Sequence, residues 1–188
     1  MPDYTLTSAP PLAGTDLAVG DTRVTAPADM AIVSVALPLG GEADAEKAVQ
    51  DAYGAALPEP GKSVVTADGA RLVRLTPDQG FVIFTHATPD AERVVADKLK
   101  GKVYTTDQTD VWTGLSVDGP MSRAALERIC PLDLHRDAFA VDDAHRTVME
   151  HLGVLIIRTG GDAYLLLSAS SSAGSFLHAV ETSLKNTS

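Results

Sequence analysis

The stretches RLTPDQGFVIF (74–84) and IRTGGDAYLLL (157–167) share a pattern that indicates the fold class. Each places a turn-rich segment between an apolar strand end and a compact apolar run, which is typical of an antiparallel meander. When one half of the chain is laid on the other, Phe81 meets Tyr164, an offset of 83 residues. The sequence therefore predicts two units of similar plan.

The pattern extends outward from these stretches. VSVALP (33–38) meets LSVDGP (115–120) at an offset of 82 residues, so each half is predicted to run strand, helix, meander, helix. Strands are predicted at 31–37, 63–65, 70–75, 81–84 and 111–119, and a second meander at 146–170 with turns near Leu152-Gly153 and at Gly160-Gly161-Asp162. Helices are predicted at 42–57, stopped by Pro58; at 88–101, with Thr88 as N-cap, Pro89 in the first turn and Gly101 past the end; at 120–130, with Pro120 in the first turn; and at 172–184.

These elements predict an α+β fold in which two ferredoxin-like halves pack as one pseudo-duplicated body. Residues 1–29, rich in Pro, Gly, Thr and Ala, are expected to form an extended arm. The first half is expected to span 30–101 and the second 102–188. A half of this size is marginal alone, so the two are expected to stabilise each other.

The composition excludes several classes of protein. The chain has 188 residues and a formal net charge of −10, and its Lys and Arg residues form no cluster, which argues against nucleic-acid binding. Apolar runs fall short of the roughly 20 residues that a membrane helix needs. A single cysteine excludes an intramolecular disulfide. With no secretory signal pattern at the N-terminus, a cytoplasmic protein is expected.

The segment ICPLDLHRDAF (129–139) brings Cys130, Asp133, His135 and Asp137 together and resembles a reactive centre. Cys130, however, is predicted in the last turn of a helix, where carbonyl oxygens disfavour a thiolate. Leu132 and Leu134 are expected to point inward, and Asp133 and His135 outward. The segment is therefore interpreted as a turn that ends a helix rather than as a catalytic or metal site.

The remaining candidate motifs also lack a complete ligand or catalytic set. The five histidines, His86, His135, His145, His151 and His178, show no metal-binding spacing, and the glycine pairs at 40–41 and 160–161 fit no phosphate-binding loop. The serines at 168–172 could bind an anion, but N-capping of the last helix is the favoured interpretation. Tyr104 and Trp112 are expected in the core or at an interface. Catalytic, cofactor-binding and metal-binding residues are therefore predicted to be absent from this chain.

The stretch from Thr105 to Phe139 carries a family resemblance. Its order D-Q-T-D-x-W, then G-P, then C-P-L-D-L, then Phe resembles the gamma subunit of heterotetrameric sarcosine oxidase. The matching residues are Asp107, Gln108, Thr109, Asp110, Trp112, Gly119, Pro120, Cys130, Pro131, Leu132, Asp133, Leu134 and Phe139. The segments 56–62, 75–84, 146–147 and 154–167 extend the resemblance to about 30–185, and the most specific part is 102–139. This family is distantly similar to the folate-binding fold of glycine-cleavage aminomethyltransferase.

The resemblance implies that this chain is a non-catalytic subunit of a larger enzyme. The family's holoenzyme oxidises sarcosine to glycine, hydrogen peroxide and formaldehyde or methylenetetrahydrofolate. FAD, FMN, NAD and zinc are expected on the alpha, beta and delta subunits, and none on this chain. The chain departs from the family before its last helix, where an Arg-Ser pair is expected and Ala169-Ser170-Ser171 stands instead.

Two other functions remain open. One is a stand-alone tetrahydrofolate-binding one-carbon protein on the same fold. The other is a hydrolase that uses Cys130 and a histidine.

Overall fold

Two antiparallel β-sheets form the centre of the molecule, and the computed structural model describes residues 9–87 and 89–187. The strands are β1 Asp16–Val19, β2 Thr22–Thr25, β3 Met30–Ala36, β4 Lys62–Val65, β5 Arg71–Thr76, β6 Gln79–Thr85, β7 Tyr104–Asp107, β8 Trp112–Asp118, β9 Ala144–Met149, β10 Leu152–Arg158 and β11 Ala163–Ala169. The helices are α1 Glu42–Tyr53, α2 Ala91–Leu99, α3 Ser122–Glu127 and α4 Ala173–Lys185, with short 3-10 turns at Thr109–Val111 and Ser170–Ser172. The predicted α+β class is confirmed at this level.

The strand orders follow from the two meanders. One sheet has five strands in the order β4-β5-β6-β3-β7, and the other has six in the order β1-β2-β8-β11-β10-β9. In the first sheet Phe81 lies opposite Val73 and Ser34, and in the second Tyr164 lies opposite Arg158 and Val117. The stretches 74–84 and 157–167 thus each supply a hairpin turn and the strand that follows it.

The alternation of side chains along the strands divides the core into three layers. In β3, Val33 faces α1 and α2, whereas its neighbour Ile32 faces the other sheet. In β10, Ile156 packs towards α3 and α4, whereas Leu155 faces the five-stranded sheet. The molecule is therefore layered helix, sheet, sheet, helix. Among the described residues, no helix is long and apolar enough to span a membrane.

The two sheets are joined along one side by polar contacts between β4 and the start of β9. The Ser63 backbone N–H donates to the Asp142 carbonyl at 2.7 Å, and the Ala144 N–H donates to the Gly61 carbonyl at 2.8 Å. Lys62 also forms an ion pair with the buried carboxylate of Asp143. These contacts fix the orientation of one sheet on the other at this side.

The segment expected to be an extended arm contains a β-hairpin that the sequence analysis did not predict. β1 and β2 pair with each other, and β2 pairs with β8 through Arg23 opposite Asp118 and Val24 opposite Val117. Leu12 and Val24 are buried in the core beneath α3 and α4. The described part of the segment is thus built into the six-stranded sheet, while residues 1–8 lie outside the described residues.

Several predicted helix ends are wrong. α1 ends at Tyr53 rather than before Pro58, because Gly54 adopts a left-handed φ of 67° and its N–H donates to the Gln50 carbonyl. α2 begins at Ala91 with Asp90 at the N-cap position, so Pro89 precedes the helix; Thr88 lies outside the described residues. α2 ends at Leu99, followed by left-handed Lys100 and Gly101.

α3 and the second meander also differ from prediction. α3 covers only Ser122–Glu127, so Pro120 lies before it and Cys130 beyond its end. The turn predicted near Leu152-Gly153 is formed by the two preceding residues, Glu150 and His151, with Glu150 at a φ of 53°. The turn at Gly160-Gly161-Asp162 is confirmed, and the Thr159 N–H donates to the Ala163 carbonyl at 2.8 Å.

Candidate functional site

The cluster at 129–139 is divided between core and surface. Cys130 is buried, its N–H donates to the Leu126 carbonyl at 3.0 Å, and its Sγ lies 3.5 Å from the Thr147 hydroxyl. Leu134 is buried, whereas Asp133 and His135 are exposed. The Asp133 carboxylate accepts the His135 backbone N–H at 2.9 Å, which is the hydrogen bond of a turn. The predicted inward position of Leu134 and outward positions of Asp133 and His135 are thus observed, whereas α3 ends before this turn, at Glu127.

The histidines are not brought together into a metal site. Within 9–87 and 89–187, no group of three or more His, Cys, Asp or Glu side chains is arranged to hold a metal ion. His135 and Asp137 lie 3.6 Å apart at the surface, and His145 packs on the Phe139 ring at 5.6 Å. His86 Nε2 lies 2.7 Å from Asp90 Oδ1, within hydrogen-bonding distance.

The serines before α4 have a different role from the predicted one. Ser172 occupies the N-cap position but makes no side-chain hydrogen bond to the helix, so the predicted N-capping is wrong. The Ser170 hydroxyl instead donates to the Asp110 carbonyl at 2.6 Å. This contact joins the end of β11 to the 3-10 turn before β8.

A groove of about 520 Å³ opens where the N-terminal segment crosses the ends of β3, β6 and β8. Its walls come from the segments around Pro10, Asp29, His86, Asp107 to Gly114, and Ser170. Because these segments are far apart in the chain, no local motif could have predicted the groove. The groove and the D-Q-T-D-x-W stretch coincide in space, which makes it the candidate functional site.

Tight packing shapes the floor of the groove. Gly114 faces the first strand of the other sheet so closely that a Cβ atom built there would lie 2.6 Å from Met30 Cε. Trp112 meets Phe81 edge to face, with ring centroids 5.8 Å apart, and the Arg146 guanidinium lies over the indole at 5.6 Å. The buried indole N–H of Trp112 has no acceptor among the described residues. The predicted core or interface position of Trp112 is thus observed, whereas Tyr104 is 70% exposed on the edge strand β7.

The electrostatics of the groove are acidic. Asp29, Asp107 and Asp110 line it with exposed carboxylates, and neither Asp29 nor Asp110 has an ion-pair partner in the described part of the chain. Among the described lining residues, only His86 could carry a positive charge. The groove therefore favours cations and hydrogen-bond donors.

A second cavity of about 250 Å³ lies between the turn that precedes β5, the end of β6, and the helices α1 and α2. Lys98 lies over the Tyr53 ring at 4.8 Å and pairs with Asp68 at 3.0 Å. Burial, with a smaller contribution from the Asp68 charge, raises the pKa of Tyr53 to about 12. The pKa of Asp68 is lowered, mainly by the hydroxyl of Thr66 and by Lys98. Lys98 and Asp68 thus neutralise each other's charge, and the described lining of the cavity contains no unpaired charge that calls for a ligand.

Comparisons with known proteins bear on the resemblance noted in the sequence. No family model matches the chain. The sarcosine oxidase gamma subunit of Corynebacterium sp. (strain P-1) is 29% identical over 125 residues, which cover 66% of this chain and 62% of that protein. The gamma subunit from Arthrobacter sp. is 30% identical over 121 residues, covering 64% and 60%. The resemblance to gamma subunits is confirmed, and the chain spans about three fifths of the length of these relatives.

Solved structures show that the fold is shared. A chain of the heterotetrameric sarcosine oxidase from Corynebacterium sp. U-96, in complex with pyrrole 2-carboxylate, matches with a TM-score of 0.77 at 21% identity, over 92% of this chain and 88% of that one. The glycine cleavage system aminomethyltransferase T from Bartonella henselae matches with a TM-score of 0.60 at 16% identity, over 85% of this chain and 45% of that one. The expected similarity to the aminomethyltransferase fold is therefore confirmed.

Proposed function

We propose that this chain is the gamma subunit of a heterotetrameric sarcosine oxidase and acts in it as a structural subunit. The observation that carries the proposal is the alignment with two proteins named as such, at 29% and 30% identity over about two thirds of this chain. The match of fold to a chain of the heterotetrameric enzyme supports it independently of the alignment.

The proposal includes the partners and the reaction. The alpha, beta and delta subunits would carry FAD, FMN, NAD and zinc, and the complex would oxidise sarcosine to glycine, hydrogen peroxide and formaldehyde or methylenetetrahydrofolate. This chain would contribute surface and shape rather than catalytic residues. A cytoplasmic location belongs to the same proposal, because a single buried cysteine fits a reducing compartment.

We also propose that the chain is a duplication of one α+β unit, divided at 30–101 and 102–188. The sheet orders support this interpretation, because β3-β6-β5-β4 and β8-β11-β10-β9 occupy equivalent positions. β7 follows the boundary at 101 but pairs with β3, so the first unit would extend to include it, and β2 holds the equivalent edge position beside β8. The N-terminal segment would therefore complete the second unit rather than form a separate domain.

Purification of the chain from its native host at native abundance tests the proposal. We expect it to copurify with a pair of flavin-containing subunits in constant stoichiometry, with activity that produces hydrogen peroxide from sarcosine. A chain that elutes alone under these conditions would contradict the assignment.

The second candidate is a stand-alone tetrahydrofolate-binding one-carbon protein, which the match to aminomethyltransferase T favours. This function predicts that the isolated chain binds tetrahydrofolate with measurable heat in calorimetry. A titration without heat, together with copurification of flavin-containing subunits, would remove this candidate and retain the first.

A further inference from the structure

We propose that the groove beneath the N-terminal segment receives an extended segment of a partner subunit that carries an arginine or lysine side chain. The inference rests on the proposed function, since it requires a partner, and it names the surface and the chemistry by which that partner would dock.

The charge of the groove selects a basic segment. Asp29, Asp107 and Asp110 bring three exposed carboxylates to one concavity, and no Lys or Arg is among its described lining residues. Arg146 lies over the Trp112 ring but does not line the groove. The carboxylates of Asp29 and Asp110 therefore stand without a counter-charge within the described chain. A cationic side chain would supply it.

Hydrogen bonding selects the same partner. Prolines form much of the wall and have no N–H to donate; they are Pro10, Pro11, Pro27 and Pro89. The Ser170 hydroxyl already donates to the Asp110 carbonyl at 2.6 Å, and the Thr109 hydroxyl donates to the Ile32 carbonyl at 3.4 Å. Apart from the unpaired indole N–H of Trp112, the described lining of the groove thus offers mainly acceptors. Arginine and lysine side chains only donate, and arginine provides five N–H groups in a planar fork.

The acceptors are held in place before a partner arrives. The His86 backbone N–H donates to the Asp29 carbonyl at 2.6 Å, and Asp29 takes a left-handed φ of 50°. Asp107 Oδ1 accepts the Thr109 N–H at 2.8 Å, which fixes the turn that carries Asp110. A prearranged site loses less entropy on binding than a mobile one. A volume of about 520 Å³ is enough for a long side chain and its adjoining backbone.

Neutralisation of the groove in the assembled complex tests the proposal. The chain would be coexpressed with the flavin-containing subunits of its native host, as wild type and as the double variant Asp29→Asn, Asp110→Asn. We expect the variant to bind its partners about tenfold more weakly, with a flatter dependence on salt. Asp97→Asn, Asp118→Asn is the matched control: it removes the same charge from two exposed residues outside the groove, so wild-type binding is expected.

Carbodiimide labelling of carboxylates by a neutral amine gives a second measurement that needs no variant. In the wild-type complex Asp29 and Asp110 should be modified several times more slowly than in the chain alone. Equal labelling in both samples, or a groove variant that assembles like its control, would overturn the inference. If the wild-type chain finds no flavin-containing partner at all, the proposed function fails instead, so the two failures are distinguishable.

Discussion

Arg71 of β5 and Asp142, just before β9, form an ion pair of 2.7 Å that joins the two sheets. Arg71 Nη1 also donates to the Ser63 hydroxyl at 2.8 Å, while the Asp142 carbonyl accepts the Ser63 N–H. Three residues from the two halves thus share one polar network. Because the Arg71 side chain is only 13% exposed, its charge depends on this network for compensation.

Asp142→Asn should lower the free energy of unfolding by about 1–2 kcal/mol, because it removes a charged acceptor from a partly buried arginine. Asparagine tolerates the left-handed φ of 71° at this position, so the backbone is preserved. Urea unfolding measures the effect, with Asp118→Asn as an exposed control expected within about 0.5 kcal/mol of wild type. Equal unfolding free energies of the two variants would show that the ion pair between Arg71 and Asp142 does not stabilise the packing of the two sheets.

Gly119→Ala should be among the most damaging small substitutions in the chain. A Cβ atom there would lie 2.4 Å from the Asp21 carbonyl oxygen and 2.6 Å from Thr22 Cα, and the φ of 135° is unfavourable for alanine. We expect a loss of about 2–3 kcal/mol in unfolding free energy, since the obstructing atoms are backbone. Gly153→Ala, where nothing lies within 4 Å, is the control. A Gly119→Ala protein as stable as this control would contradict the close approach of the N-terminal hairpin.

Native Cys130 should react slowly with iodoacetamide at neutral pH, because the side chain is buried beside Thr147. Reaction should become complete once the chain is unfolded in urea. Mass spectrometry of the labelled protein over time measures both rates. Rapid labelling of the folded chain would revive the hydrolase hypothesis that this residue first suggested.

Alkaline pH should destabilise the chain through Tyr53, whose pKa is raised from 10.0 to about 12 by burial. The unfolded chain releases this proton near pH 10, whereas the folded chain retains it, so the stabilising contribution is complete below pH 10 and is lost as pH rises towards 12. Tyr53→Phe should flatten the fall of unfolding free energy in that interval. The difference in phenolate absorbance between wild type and variant isolates the titration of Tyr53 from that of the other three tyrosines. If the unfolding free energy of the variant fell with pH as steeply as that of wild type, Tyr53 would not be the group responsible for the loss.

The elements that the sequence predicted are those specified by nearby residues. The compact apolar runs at 70–75 and 81–84, with turn residues between them, specify two strands and their hairpin, so the meander of β5 and β6 appears as predicted. The helical period of 172–184 likewise identifies the buried side of α4, where Phe176 and Val180 are buried.

The remaining features were missed or misplaced, one because a local glycine was not recognised as a helix end and the others because they depend on distant residues. The periodicity of 42–57 continues past Tyr53, but the left-handed Gly54 ends the helix before the pattern does. β1 and β2 are short, and β2 becomes a strand by pairing with β8, about 90 residues away along the chain. The groove requires the same N-terminal segment to cross the ends of three strands, and sequence spacing carries no signal for that arrangement.

Reconstitution with partner subunits tests whether this chain is the gamma subunit of a sarcosine oxidase. The flavin-containing subunits of the native host would be coexpressed with and without this chain, and hydrogen peroxide formation from sarcosine would be measured on the purified assemblies. We expect the chain to elute with these subunits in constant stoichiometry and the assembly without it to be unstable or depleted in activity. A fully stable and active assembly that excludes the chain would contradict its assignment as the gamma subunit.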